Sequence, residues 1–198
     1  MHTATQPAPS ARRRRGERTA AAPELDWSTI DAWVLSIFAD KALLGQLRRL
    51  DKVELGSVWA LTERALQRQR QAHLRSPESL DVHRRLVEGL SGESILISSS
   101  MFLSSLAEAE KYFELSFKTI KSKLGGTLDT AASERAMRAA RVTTAAAEVL
   151  GSFDAARKYM HTKNFALGGA TPADLLKTSE GERLVLNELQ AHAESGPL

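Results

Sequence analysis

"NFALGGATPADLLKTSEG", residues 164–181, decides between two kinds of fold. A glycine-rich stretch that cradles phosphate belongs to an α/β chain and follows a strand, with the spacing G-x-x-x-x-G-K-[ST] or G-x-G-x-x-G. Neither spacing occurs here. The glycines follow a helical stretch, and no Lys precedes a Ser or Thr at the required place. Thr171 instead stands at an N-cap position with Pro172 at N1 and Asp174 at N3, the residue types that start a helix. Thr178 repeats the cap for a last helix whose inner face carries Val185 and Leu189. Read as helix punctuation, the stretch predicts an all-α, multi-helix chain.

Working outward, "SERAMRAARVTTAAAEVLG" (133–151) predicts a long Ala-rich helix capped by Thr130 or Ser133 and ended by Gly151. Its alanines imply close helix packing. Ser152 or Asp154 caps the next helix, which ends near Asn164. Upstream, "FLSSLAEAEKYFELSFKTIKSKL" (102–124) places Leu103, Leu106, Ala109, Glu110 and Phe113 on one helix, breaks at "ELS", and restarts after Ser116. Phe117, Ile120 and Leu124 turn inward, leaving Lys118, Thr119, Lys121, Ser122 and Lys123 outside. Helix, short turn, and a second helix with basic and hydroxyl residues near its start is the order of a helix-turn-helix, whose second helix enters the major groove. Glu114 stands near the place of the usual turn glycine. Many αα-hairpins share this pattern, so the face is either a DNA contact through Ser116 to Lys123 or a solvated lysine face. Residues 91–127 form this segment. "ILI" (95–97) is a β-like run without a partner and does not make a sheet.

Residues 25–90 read as an N-terminal helical region of unassigned role. Trp27, Ile30, Trp33, Val34, Ile37 and Phe38 recur at three- and four-residue steps, with Asp26 or Ser28 as the cap. A second helix is predicted over 54–74, and Ser76 caps a short one through Val87 before the linker "GLSGES" (89–94). Residues 1–24 hold five arginines and almost no large apolar side chain, the composition of a disordered tail. Such a tail is either solubilising or a basic arm that touches nucleic-acid phosphates.

Composition narrows the function classes. With zero Cys there is no disulfide framework and no thiolate metal site. No apolar run approaches a membrane span, and Arg12 to Arg15 are followed by no apolar h-region, so a cytoplasmic chain is expected. The 27 basic and 24 acidic residues give a modest +3, but clustering rather than total charge is what an anionic partner feels. The five histidines are scattered without H-E-x-x-H, and no G-x-S-x-G elbow is present. No enzyme, cofactor or metal is expected.

The ordered string at 146–189 resembles the toxin-binding domain of the Xre/MbcA/ParS antitoxin family, whose pattern runs roughly A-x-E-V-F-G, then A-x-x-W-L-x-x-P-N-x-A-L-G-G-x-T-P-x-x-L-L-x-T-x-x-G. Glu148, Val149, Gly151, Ala156, Asn164, Ala166, Leu167, Gly168, Gly169, Thr171, Pro172, Leu175, Leu176, Thr178 and Gly181 match it. Tyr159 and Met160 replace the usual Trp and Leu. The family's ending, close to L-G-R-I-x-x-G, appears as "LQAHAESGPL" (189–198), with Ala191 where relatives have Arg.

The resemblance covers roughly residues 100–196. It implies a toxin-binding domain over 128–198 and a degenerate Xre-like helix-turn-helix before it. It implies a RES-domain toxin that consumes NAD or transfers ADP-ribose as partner and operator DNA as a second partner; DNA binding in turn implies a homodimer, since a lone helix-turn-helix reads one half-site, within a larger toxin-antitoxin complex. The implied toxin-facing residues are Asn164, Phe165, Gly168, Gly169, Thr171 and Pro172, with His192, Glu194 or the terminal carboxylate in place of the missing Arg. The alternative is a stand-alone helix-turn-helix regulator without a toxin.

Overall fold

The computed structural model describes residues 27–47 and 78–195. The tail at 1–24, the helix expected over 54–74, the caps at Asp26 and Ser76, and residues 196–198 lie outside the described residues. The described chain is all-α: α1 (Trp27–Phe38), α2 (Lys41–Leu47), α3 (Glu78–Glu88), α4 (Ser94–Phe102), α5 (Leu106–Phe113), α6 (Phe117–Lys123), α7 (Thr130–Leu150), α8 (Phe153–His161), a 3-10 turn (Phe165–Leu167), α9 (Pro172–Leu175) and α10 (Ser179–Ser195). Among the described residues the β-pairing is limited to an isolated bridge between Ser91 and Thr127. No described helix is long and apolar enough to cross a membrane.

The Ala-rich helix α7 is the axis, packed against α3, α4, α8 and α10. Ala132, Ala136, Ala139, Ala140, Ala146 and Ala147 are buried along it, and their small side chains allow close backbone approach. Thr143 and Thr144 are buried as well, and their hydroxyls donate to the carbonyls of Ala139 and Ala140, one turn back. One continuous cluster of buried side chains runs from Ile30 on α1 to Leu189 on α10.

The "ILI" run lies inside α4, a helix whose nine residues are all buried. Ser98 donates to the Ser94 carbonyl and Ser100 to that of Ile97, so these hydroxyls are satisfied without leaving the helix. A helix buried on every side shows no amphipathic period, which is why it escapes a periodicity reading.

Several boundaries differ from the sequence expectations. The apolar segment at 27–47 is two helices, broken at Ala39 (φ 50°) and restarted by Asp40, whose carboxylate accepts the Ala42 N–H at 2.9 Å. Leu103 does not open α5 but ends α4 in an extended conformation. Ser105 caps α5 by accepting the Glu108 N–H, and the Glu108 carboxylate reaches back to the Ser104 N–H. Asp129, not Thr130 or Ser133, caps α7, accepting the Ala132 N–H at 2.9 Å. Ser133 is buried and accepts the Leu90 N–H instead. Ser152 caps α8, which stops at His161.

The last helix is fixed by a buried ion group. Glu182 sits between Arg138 Nε (3.3 Å) and Arg141 Nη1 (2.9 Å), and Arg138 also donates to the Leu176 carbonyl at 3.2 Å. Just before it, Gly181 lets the backbones meet: a Cβ there would stand 1.9 Å from the Leu175 carbonyl oxygen. Removing one partner of a buried ion group is costly because the other charges lose their compensation. Glu182→Ala is therefore expected to cost about 3–5 kcal/mol, read as a lower urea midpoint at unchanged slope. A midpoint equal to the parent's would remove this group from the scaffold.

Candidate functional site

Between α8 and α9 the chain makes a closed loop. The Asn164 N–H donates to the Ala170 carbonyl at 3.1 Å, while the Asn164 carbonyl accepts from Leu167 (3.1 Å) and Gly169 (2.9 Å). The Asn164 side-chain oxygen accepts the Ala166 N–H at 2.8 Å, the local bond that makes Asn a turn former. Gly168 (φ +67°) and Gly169 (φ +81°) reverse the chain in the left-handed region. Nothing lies within 4 Å of a Cβ built at either, so backbone conformation and not space asks for glycine. Thr171 then caps α9, accepting the Asp174 N–H at 3.2 Å and donating its hydroxyl to the Asp174 carboxylate at 2.9 Å. That hydroxyl, ahead of the nearby Lys177 charge, holds the Asp174 carboxyl below its ordinary pKa.

Phe165 stands at the tip of this ring, 98% exposed. Single exposed apolar side chains are common on any surface. This one is unusual because the loop beneath it is tied down. Asn164 Nδ2 donates to Glu188 Oε1 at 2.9 Å, and the Tyr159 hydroxyl donates to the other oxygen of the same carboxylate. Burial, then the bond to Glu188 and its charge, push the Tyr159 pKa up. Glu188, on α10, thus joins α8, the loop and the last helix. It was missed by sequence reasoning, which had only its place near the inner stripe to go on.

Asn164, Phe165, Gly168, Gly169 and Thr171 therefore share one loop. The Asn164 side chain is divided between the loop and Glu188, and that of Thr171 is engaged by Asp174 on α9. Pro172 is buried and serves as the first helical residue of α9. His192 and Glu194 are exposed on the final turns of α10, His192 one turn past Glu188, and Glu194 accepts from Gln190 at 2.9 Å. A cleft of about 230 Å³ opens between α5 and α9, lined by Lys111, Tyr112, His161, Thr171, Asp174 and Lys177 among others.

The second candidate surface is α6. The turn from α5 passes through Glu114 in the left-handed region (φ 55°), and Ser116 caps α6 by accepting the Thr119 N–H. Ile120 is buried, while Lys118, Lys121 and Ser122 are exposed. The hydroxyls of Ser116 and Thr119 bond each other at 2.9 Å, and Ser122 donates to the Thr119 carbonyl. Lys121 pairs with Asp40 at 2.9 Å and Lys123 with Asp129 at 3.1 Å. Phe117 stacks on Phe38, ring centroids 6.0 Å apart. This helix is docked on the N-terminal helices as well as on its own hairpin.

Residues 145–194 match the family model of the antitoxin Xre/MbcA/ParS C-terminal toxin-binding domain. Among curated proteins none matches the chain. The 145–194 span, about a quarter of the chain, is similar to the toxin-binding domain of those antitoxins, and the 164–171 loop lies inside it. Because Gly169 is needed for its positive φ, Gly169→Ala is expected to cost about 1–2 kcal/mol locally. Faster amide hydrogen exchange at Leu167 and Gly169 would report it, with α7 amides unchanged. Unchanged loop exchange would show that the turn tolerates a side chain.

Proposed function

We propose that this chain is a cytoplasmic antitoxin that binds a RES-domain toxin, covers its NAD pocket, and, as a dimer, represses its own operon through α5 and α6. The observation that carries the first part is Phe165, a fully exposed aromatic side chain on a hydrogen-bonded loop within the matched toxin-binding domain. Aromatic anchors held in place ahead of binding supply a large share of interface energy, because little conformational freedom is left to lose. The exposed end of α10, with His192 and Glu194, is the second toxin-facing element of this reading.

DNA contact is supported by the three-residue turn at 114–116 and by the exposed lysines that follow it. Lys118 is the side chain best placed for phosphate, since Lys121 and Lys123 reach it only by leaving Asp40 and Asp129. A lone helix-turn-helix reads one half-site, so this reading includes a dimer.

The first test is to express the open reading frame beside this gene in bacteria, with and without this chain, and to follow growth and cellular NAD. Loss of NAD that this chain reverses supports the antitoxin reading; a harmless neighbour moves the stand-alone regulator ahead. Phe165→Ala is then expected to leave the urea midpoint unchanged and to weaken toxin binding by about 2 kcal/mol, roughly thirtyfold. For DNA, Lys118→Ala is expected to weaken binding evenly across sequences and to lower the salt slope by about one. An unchanged slope removes α6 from the DNA interface.

A further inference from the structure

We infer that Glu188 is a positioning residue: its carboxylate sets the shape of the Phe165 loop before a partner arrives. This deepens the reading of that loop as partner-facing and rests on it. The ring of bonds from Asn164 to Ala170 fixes the loop internally, but a closed ring can still swing as a body about its two ends. The Asn164–Glu188 bond joins the ring to α10, and the Tyr159 hydroxyl holds the same carboxylate from α8.

The chemistry of the three groups makes the arrangement specific. Glu188 offers acceptors only, and both of its oxygens are used. Asn164 splits its amide, with the oxygen serving the loop through Ala166 and the nitrogen serving the clamp through Glu188. Tyr159 keeps its proton, since burial and the adjacent carboxylate both disfavour the phenolate. Removing the carboxylate strands two half-buried donors at once. The loop would then have to be ordered during association, and that cost comes out of affinity.

Exchanging donor and acceptor tests the link itself. Asn164→Asp keeps the acceptor for Ala166 but sets one carboxylate against another. Adding Glu188→Gln restores a donor: the Gln amide nitrogen faces Asp at 164, and its oxygen still accepts from Tyr159. The full chain would be measured as Glu188→Ala, Asn164→Asp and the double exchange. Amide exchange at 164–170 is read in the free chain, and affinity is read for the toxin encoded by the neighbouring reading frame.

Each single change is expected to speed exchange in the loop and to weaken toxin binding about tenfold, and the double exchange to restore both. Unchanged loop exchange in the single variants overturns the inference without reference to any partner. Faster exchange with unchanged affinity also overturns it. If Phe165→Ala still weakens binding in that case, the toxin-facing reading survives; if it does not, both fall. Should Glu188→Ala not fold, a double exchange no better than Asn164→Asp alone is the result that overturns the link.

Discussion

The buried carboxylate of Glu182, held between Arg138 and Arg141, sets the register on which the C-terminal half depends. Burying such a group brings little net stability, because desolvation offsets most of the attraction. What it does bring is placement. The arginines lie on α7, and Arg138 also holds the Leu176 carbonyl at the end of α9. The start of α10 is therefore located against two elements at once. Gly181 makes the approach possible by leaving the Leu175 carbonyl unobstructed. Six residues beyond Glu182, about 9 Å along the helix, Glu188 meets the Asn164 side chain. The helix that meets the Phe165 loop is thus located by a charge group well inside the scaffold.

The parts legible in the sequence are those governed by local chemistry. Thr171 and Thr178 announce helix starts through hydroxyls that accept nearby backbone N–H groups, and Pro172 does so through its fixed φ at the first helical position; the structure shows both bonds and that placement. The break at 114–116 was visible for the same reason. Fold class followed from this punctuation and from the absence of strand-compatible spacing. What stayed hidden depends on burial or on distance along the chain. α4 is enclosed on every side, so its serines carry no period. Asp129 takes the cap expected of Thr130 or Ser133, and Ser133 instead accepts from Leu90, 43 residues away. Glu188 gains its meaning only when Tyr159 and Asn164 are folded against it.

The α5–α6 hairpin shows how one pattern can be structurally correct and chemically restrained. Its turn and cap follow expectation, yet the hydroxyls that suggested base contact are engaged within the helix. Two of the three lysines on α6 are held by carboxylates, and these bonds pull the pKa values of Asp40 and Asp129 down, at Asp129 after the larger effect of the Ala132 N–H. Phe117 is stacked on Phe38, so α6 owes its position partly to α1.

The family match opens at residue 145, whereas α7 runs from Thr130 to Leu150. The matched span therefore begins inside a helix, and the packing of that helix reaches further upstream. Arg138 and Arg141, the counter-charges of Glu182, both lie upstream of the shared span. A chimera joined at residue 145 would inherit the Phe165 loop but take those arginines from the other parent. In such a chimera Glu182 keeps its ion partners only where the other parent also supplies basic residues at 138 and 141.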